Sequence, residues 1–179
     1  MRCSVVGAGF LFTRMLPIQT AYRNYRQRRW DLSESFFRVI RASEIAPGGI
    51  VAKEINGHHL LMDADNEWGG QDKGPRPKPL LLAALSGCSG MDVVSILAKM
   101  KIPPYSFRME ADADATEEHP VVYKTIRFSF YFEGEALPED KIKKAVKLST
   151  EQYCGVNAML KKSAEVIVKI YINDLEVKI

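Results

Sequence analysis

The strongest hydrophobic pattern in the chain is an alternation over Val121–Glu133, in which the even-numbered residues are apolar except Lys124. A period of two predicts a half-buried antiparallel strand. The Gly-Gly and Asn-Gly turns at 48–49 and 56–57 predict hairpins. Shorter strands are predicted where β-branched and aromatic residues lie between turns, over Phe36–Ala42, Ile50–Ile55, His59–Met62, Tyr105–Ala113 and Val166–Ile172.

A long helix is predicted from Leu80 to about Met100, because Pro79 suits the first helical position and the run that follows is apolar nearly all round. Such a helix belongs in the centre of a core or in a dimer interface. Its middle is rich in small residues, so a close approach of another element is expected at Ser86, Gly87, Ser89 and Gly90.

A second helix is predicted after Pro138, with acids in its first turn that suit the helix dipole, and it runs to about Tyr153. Cys154 and Gly155 then interrupt the helix. Asn157 is predicted to cap a short helix before the last strand. The mixture of strands and helices indicates an α+β domain.

Length and charge divide the 179 residues into a basic N-terminal extension over 1–32 and one domain over 33–179. Residues 1–30 hold six arginines and no acid, which leaves 19 basic against 22 acidic residues in the remainder. The extension is open to three interpretations: a transit peptide, an RNA-contacting segment or, favoured, a poorly ordered extension. The mildly acidic domain indicates no nucleic-acid partner, and no stretch is expected to reach the length of a membrane span.

The three cysteines are too few for a secreted disulfide framework, which favours a reducing, cytoplasmic setting. Cys88 lies in the middle of the long helix and Cys154 at the junction of the next two helices. Each is open to two interpretations, a small buried side chain or a reactive thiol. No metal site is predicted, because the chain has no Cys-x-x-Cys motif and the adjacent His58 and His59 point to opposite faces of a strand.

Several segments, in the same order along the chain, resemble the OsmC/Ohr family and most closely its small OsmC-like subgroup. The resemblance runs from about Gly48 to Ile172. It implies an intertwined homodimer of OsmC-like fold, in which antiparallel sheets wrap around central helices. The segments that carry it are Gly74-Pro75-Arg76-Pro77, Leu80–Cys88, Met91–Leu97, Glu118-His119-Pro120 and Tyr153–Leu160.

The resemblance further implies a thiol-dependent peroxidase that reduces small hydrophobic organic hydroperoxides to alcohols. Cys88 is expected to become a sulfenic acid, and Cys154 to convert it into a Cys88–Cys154 disulfide. No bound cofactor is expected, and an external dithiol of the lipoyl type is the expected reductant. The alternative is a redox-sensing or ligand-binding module without efficient turnover, because a fold does not fix an activity.

A thiolate in an apolar helix is costly unless a cation stabilises it. The resemblance implies an arginine held by a glutamate, and Arg76 and Glu67, both in the loop before the long helix, are favoured. Arg38 and Arg41 are the alternative arginines. Asp92 lies one turn after Cys88, and its negative charge would raise the pKa of that thiol. Because this would disfavour the thiolate, Asp92 is expected to bond a helix or partner group rather than to activate Cys88.

Overall fold

The computed structural model describes residues 42–45, 51–55 and 58–178. The predicted extension over 1–32 lies outside these residues, as does the strand predicted over Phe36–Ala42 apart from Ala42 itself. The described part contains seven strands and three α-helices, and this mixture confirms the predicted α+β class.

The smaller sheet is antiparallel and has three strands in sequence order. Ile55 lies opposite His58 across the second and third strands, so the hairpin predicted at 56–57 is confirmed. The strands are β1 (Ala42–Ile45), β2 (Val51–Ile55) and β3 (His58–Met62).

The larger sheet has four strands in the order β4-β5-β6-β7, and their bounds are Ser106–Ala115, Tyr123–Glu133, Glu165–Ile172 and Leu175–Val177. β4 and β5 pair antiparallel, whereas β6 runs parallel to β5. The sheet is therefore mixed where antiparallel pairing alone was expected. The cause is the helical connection between β5 and β6, which is long enough to carry the chain back to the end where β5 began.

The short strand β7 has no counterpart in the sequence-based prediction. It follows Asn173 and Asp174, whose φ angles of 49° and 64° make the tight turn of a hairpin with β6. Asn and Asp tolerate positive φ better than most residues, so this pair was the sequence signal for the turn.

Three α-helices complete the core: α1 (Pro79–Lys99), α2 (Glu139–Leu148) and α3 (Gly155–Leu160). α1 begins at Pro79, as predicted, with the proline in the first turn where its missing N–H costs nothing. A π-helical turn over Ser149–Tyr153 joins α2 to α3. The helical segment therefore ends at Tyr153, as predicted, but its last turn is π-helical and wider than a turn of α-helix.

The apolar face of β5 forms the centre of the core, as the alternation predicts. Ile126, Phe128, Phe130 and Phe132 are each fully buried. The rings of Phe128 and Phe130 lie 4.4 Å apart between centroids, and they are tilted against each other. The helix residues that join this cluster with no exposed surface are Leu85, Val93, Leu97, Ile142, Ala145 and Val146.

Among the residues that the structure describes, helix α1 buries one face and leaves the other uncovered. The buried face is a row of residues four apart, Leu85, Ser89, Val93 and Leu97. Leu81, one step earlier in the same row, is 46% exposed, and Met91 on the opposite face is 66% exposed. The helix therefore has more apolar surface than the described residues cover.

The two glycines of α1 have different surroundings. A Cβ at Gly90 would lie 2.4 Å from the Met109 methyl carbon of β4, so the predicted close approach is confirmed there. A Cβ at Gly87 would meet nothing within 4 Å among the described residues. Gly87 therefore lies on the uncovered face of the helix.

Helix α1 also corrects the expectation that no segment is long enough to span a membrane. Within the described residues it is the one helix whose length and composition suffice for a bilayer, with 21 residues and a mean hydropathy of 1.8. A core helix of a soluble protein meets the same criteria. Because its buried row packs into the cluster around β5, we interpret α1 as a core helix.

We expect Phe130→Ala to lower the free energy of unfolding by about 3–5 kcal/mol, because it removes a fully buried ring and leaves a cavity. Lys124→Ala, an exposed position of the same strand, should change it by no more than about 0.5 kcal/mol. Urea unfolding at one fixed protein concentration measures both. Equal losses for the two variants would contradict the assignment of this face to the core.

Candidate functional site

Cys88 lies in the middle of α1, at the border between the buried and the uncovered face. It is half-buried and packs against the core cluster. Its neighbour Ser89 belongs to the fully buried row, so the helix periodicity holds the Cys88 sulfur at the edge of the core rather than inside it.

Cys154 lies at the junction of the π-helical turn and α3, and it is only 3% exposed. The expectation that Asn157 caps α3 is wrong, because Cys154 is the capping residue. Its sulfur accepts a hydrogen bond from the Asn157 backbone N–H at 3.3 Å. Asn157 is instead fully buried, and its side-chain amide donates to the Thr150 carbonyl at 2.5 Å, which fixes the junction.

The fold brings the two cysteines together although 65 residues separate them in the chain. The sulfurs of Cys88 and Cys154 and a carboxylate oxygen of Asp92 all lie within 4.8 Å of one another. Both thiols are free. The arrangement can therefore close a disulfide after modest side-chain motion, which the sequence alone did not show.

The surroundings of Cys88 favour the thiol over the thiolate. Burial is the largest effect that raises its pKa, and the neighbouring Cys154 and the Asp92 carboxylate raise it further. The backbone N–H of Val156 acts in the opposite direction, because it donates a hydrogen bond to the sulfur. The described groups that act on Cys88 are thus mostly acids.

Asp92 faces Cys88 one turn along α1, and it also bonds a neighbouring group, Ser149. The Ser149 hydroxyl lies 3.4 Å from a carboxylate oxygen of Asp92 and 3.3 Å from the Ser89 carbonyl oxygen. Burial raises the pKa of Asp92, and the hydrogen bond from Ser149 acts against that shift. Sequence analysis missed Ser149, because no local pattern connects it with a helix sixty residues earlier.

Arg76 and Glu67, the predicted arginine–glutamate pair, do not contact each other. The Arg76 guanidinium binds the carboxylates of Asp65 at 3.3 Å and Asp72 at 2.9 Å. Glu67 lies exposed in a short 3-10 turn over Asn66–Trp68. The predicted pairing is therefore wrong within the described residues, since Arg76 has two nearer acids in its own loop. Its predicted action on Cys88 remains a prediction.

Asp63 organises the loop that holds Arg76, a role that sequence analysis missed. It is 2% exposed and accepts backbone N–H bonds from Ala64 at 2.7 Å, Lys73 at 2.9 Å and Gln71 at 3.0 Å. These bonds, that of Lys73 foremost, lower the pKa of Asp63. Arg38 and Arg41, the alternative arginines, lie outside the described residues.

A cleft of about 380 Å³ begins at Asp92 and runs along α1. Its walls combine three apolar side chains with a carboxylate, an ammonium group, an aliphatic hydroxyl and a phenol. The residues that line it are Asp92, Ser95, Ile96, Lys99, Met100, Leu148 and Tyr153. The cleft therefore shares one residue with the group that surrounds the two sulfurs.

We expect Asp92→Asn to lower the pKa of the Cys88 thiol, because it removes a negative charge that disfavours the thiolate. Alkylation of Cys88 by iodoacetamide in a chelating buffer near neutral pH should become roughly two- to tenfold faster. Peptide mass spectrometry measures the rate at Cys88 alone. Glu135→Gln, which removes the same charge from an exposed loop, should leave the rate unchanged. A slower reaction in Asp92→Asn would contradict the electrostatic role of Asp92.

Comparison with known proteins agrees with the resemblance of the motifs. A family model described as OsmC-like protein matches residues 70–169. Protein YhfA of Escherichia coli K12 is 34% identical over 116 residues, which cover 65% of this chain and 84% of that protein.

Solved structures share the fold. A hypothetical protein from Aquifex aeolicus VF5 superposes with a TM-score of 0.64 at 28% identity, covering 75% of this chain and 96% of that one. The organic hydroperoxide resistance protein OhrB of Bacillus subtilis superposes with a TM-score of 0.52 at 14% identity, covering 74% and 97%, and that identity shows the fold alone. Because the family model covers more than half of the chain, including both cysteines, the chain belongs to the family of OsmC-like proteins.

Proposed function

We propose that the protein is a thiol-dependent peroxidase that reduces organic hydroperoxides in a reducing, cytoplasmic setting. The observation that carries this proposal is the pair of free sulfurs, which lie within 4.8 Å of each other in one OsmC-like domain. The attacking thiol must be accessible to substrate, whereas the resolving thiol need only reach the first sulfur. Cys88 is half-buried, and Cys154 is 3% exposed. We therefore assign attack to Cys88 and resolution to Cys154.

The reaction has three balanced steps. The Cys88 thiolate attacks the terminal oxygen of the hydroperoxide, the O–O bond breaks, and the alkoxide leaves and takes up a proton to become the alcohol. The resulting sulfenic acid is then attacked by the Cys154 sulfur, which forms the disulfide and releases water. An external dithiol, of the lipoyl type, reduces the disulfide and becomes oxidised itself.

The cleft beside Asp92 supports a hydrophobic substrate. Ile96, Met100 and Leu148 give it apolar walls, and contact with such walls favours an alkyl or aryl chain. Hydrogen peroxide would gain nothing from these contacts. We therefore expect organic hydroperoxides to be preferred over hydrogen peroxide.

The peroxidase also requires a cation near Cys88, because the described groups around the sulfur raise the pKa of the thiol. The motifs favour Arg76 as this cation, and Arg38 and Arg41 are the alternative arginines. The Arg76 guanidinium forms ion pairs with two aspartates of its own loop. To stabilise the Cys88 thiolate, it must break one of these ion pairs or act from its present position.

A homodimer is the second part of the proposal. On the uncovered face of α1, Met91 is 66% exposed, and a Cβ at Gly87 would meet nothing within 4 Å among the described residues. An apolar helix face of this kind is stabilised when a second copy covers it. The resemblance implies the same central helices in an intertwined pair.

The alternative function is a redox sensor that forms the disulfide without efficient turnover. The raised pKa of Cys88 favours it, because a protonated thiol reacts slowly with peroxides. The peroxidase and the sensor use the same two cysteines. They differ in whether the disulfide is reduced again fast enough for repeated turnover.

We expect the wild-type protein to turn over cumene hydroperoxide with dihydrolipoamide as reductant, and to act more slowly on hydrogen peroxide. Cys88→Ser should abolish turnover. Cys154→Ser should lose turnover and accumulate over-oxidised Cys88, which mass spectrometry detects. One oxidation per protomer without cycling would support the sensor instead.

In the same assay, Arg76→Gln, Arg38→Gln and Arg41→Gln identify the cation. Removal of the activating arginine should lower kcat/KM by about a hundredfold or more, since it removes a charge that acts in the transition state. Urea unfolding of each variant separates this loss from a loss of folding. If all three variants retain full activity, the arginine part of the proposal is wrong.

We expect Met91→Glu to shift the protein from dimer to monomer, because it introduces a charge into the uncovered face of α1. Met159→Glu is the matched control, since this methionine is 64% exposed on α3. Light scattering coupled to size exclusion measures the mass of each. A wild-type monomer at micromolar concentration would contradict the dimer.

A further inference from the structure

The two cysteines and Asp92 form a set of donor atoms that suits a metal ion as well as a disulfide. Two sulfurs and one carboxylate oxygen lie within 4.8 Å of one another. In a tetrahedral zinc site with Zn–S bonds of about 2.3 Å, the sulfurs lie about 3.8 Å apart. The two sulfurs thus need to approach each other by at most about 1 Å to reach the spacing that a zinc ion imposes.

We propose that the reduced protein binds one Zn²⁺ per protomer through Cys88, Cys154 and Asp92. Thiolates select a borderline-soft ion over Mg²⁺ or Ca²⁺, and the carboxylate suits the divalent charge. Three protein ligands leave the fourth position to water or another small molecule, on the half-exposed side of Cys88. The ion offsets two of the three negative charges that its ligands carry.

The residues around these donors are arranged as supports for metal ligands. The Ser149 hydroxyl, 3.4 Å from the Asp92 carboxylate, orients one ligand. The Asn157 backbone N–H bonds the Cys154 sulfur at 3.3 Å and orients another. Hydrogen bonds of this kind hold ligands in place and raise metal affinity.

The sequence did not predict this site, because its ligands come from two separate segments. Cys88 and Asp92 are one turn apart on α1, at the i and i+4 positions that share a helix face. Cys154 comes from the junction before α3. Zinc motifs that are recognised from spacing alone, such as Cys-x-x-Cys, keep their ligands close in sequence.

Zinc and the disulfide exclude each other, because both use the same two sulfurs. Oxidation removes two electrons from the two bound thiolates, forms the S–S bond and releases Zn²⁺. With diamide as oxidant, the two electrons and two protons from solvent convert the diazene to the hydrazine. The proposal does not depend on peroxidase activity, since metal binding is an equilibrium of the reduced protein.

The test is a titration of the reduced full-length protein with Zn²⁺ against a chromogenic chelator, together with Co²⁺ as a spectroscopic probe. We expect one ion per protomer and a sulfur-to-cobalt charge-transfer band in the near ultraviolet. Cys88→Ser and Cys154→Ser should each weaken binding by a hundredfold or more and reduce the band. Asp92→Asn should weaken binding by about tenfold or more while both sulfur contributions remain.

Glu135→Gln is the control for loss of one negative charge, and it should bind as the wild type does. Diamide should release the ion in step with disulfide formation. Metal that stays bound after oxidation, or binding that is unchanged in both cysteine variants, would overturn the proposal and show an adventitious ion only. Because Asp92→Asn is expected to weaken zinc while it accelerates alkylation of Cys88, this variant separates metal binding from thiol reactivity.

Discussion

The burial of one face of α1 in the core around β5 is the constraint on which the site depends. Leu85, Val93 and Leu97 fix the rotation of the helix, and Cys88 then lies at the border of the buried face. The Ser149 hydroxyl, 3.3 Å from the Ser89 carbonyl oxygen, ties the π-helical turn to the same helix. The packing that stabilises the domain therefore also brings Cys154 to Cys88.

The site around Cys88 contains acidic groups without a described cation beside them. Cys88, Cys154 and Asp92 all become anions on ionisation, and burial raises the pKa of both Cys88 and Asp92. A buried group of this kind is stable as neutral thiols, beside an arginine or around a metal ion. The proposed peroxidase and the proposed zinc site would each stabilise thiolates in this acidic group, the first through a cation and the second through a metal ion, and only the disulfide excludes zinc.

The uncovered face of α1 connects the site with assembly. Leu81 and Met91 are exposed on the helix that carries Cys88. A second copy on this face would reduce the exposure of Cys88 and bring new side chains near its sulfur. In the proposed dimer, oligomerisation and thiol chemistry would be coupled through one helix, and a cation that stabilises the thiolate could come from the other chain.

The sequence by itself determined the elements whose pattern is local. The alternation of β5, the start of α1 at Pro79 and the family motifs around Cys88 and Cys154 follow from residues that are neighbours in the chain. Only the tertiary structure decided which distant groups meet: the two sulfurs with Asp92, Ser149 with α1, and Arg76 with aspartates rather than Glu67. The parallel pairing of β6 belongs with these, since it depends on the path of α2 and α3. The physical reason is that backbone periodicity is set by adjacent residues, whereas side-chain contacts, burial and pKa shifts arise only when packing brings separate segments together.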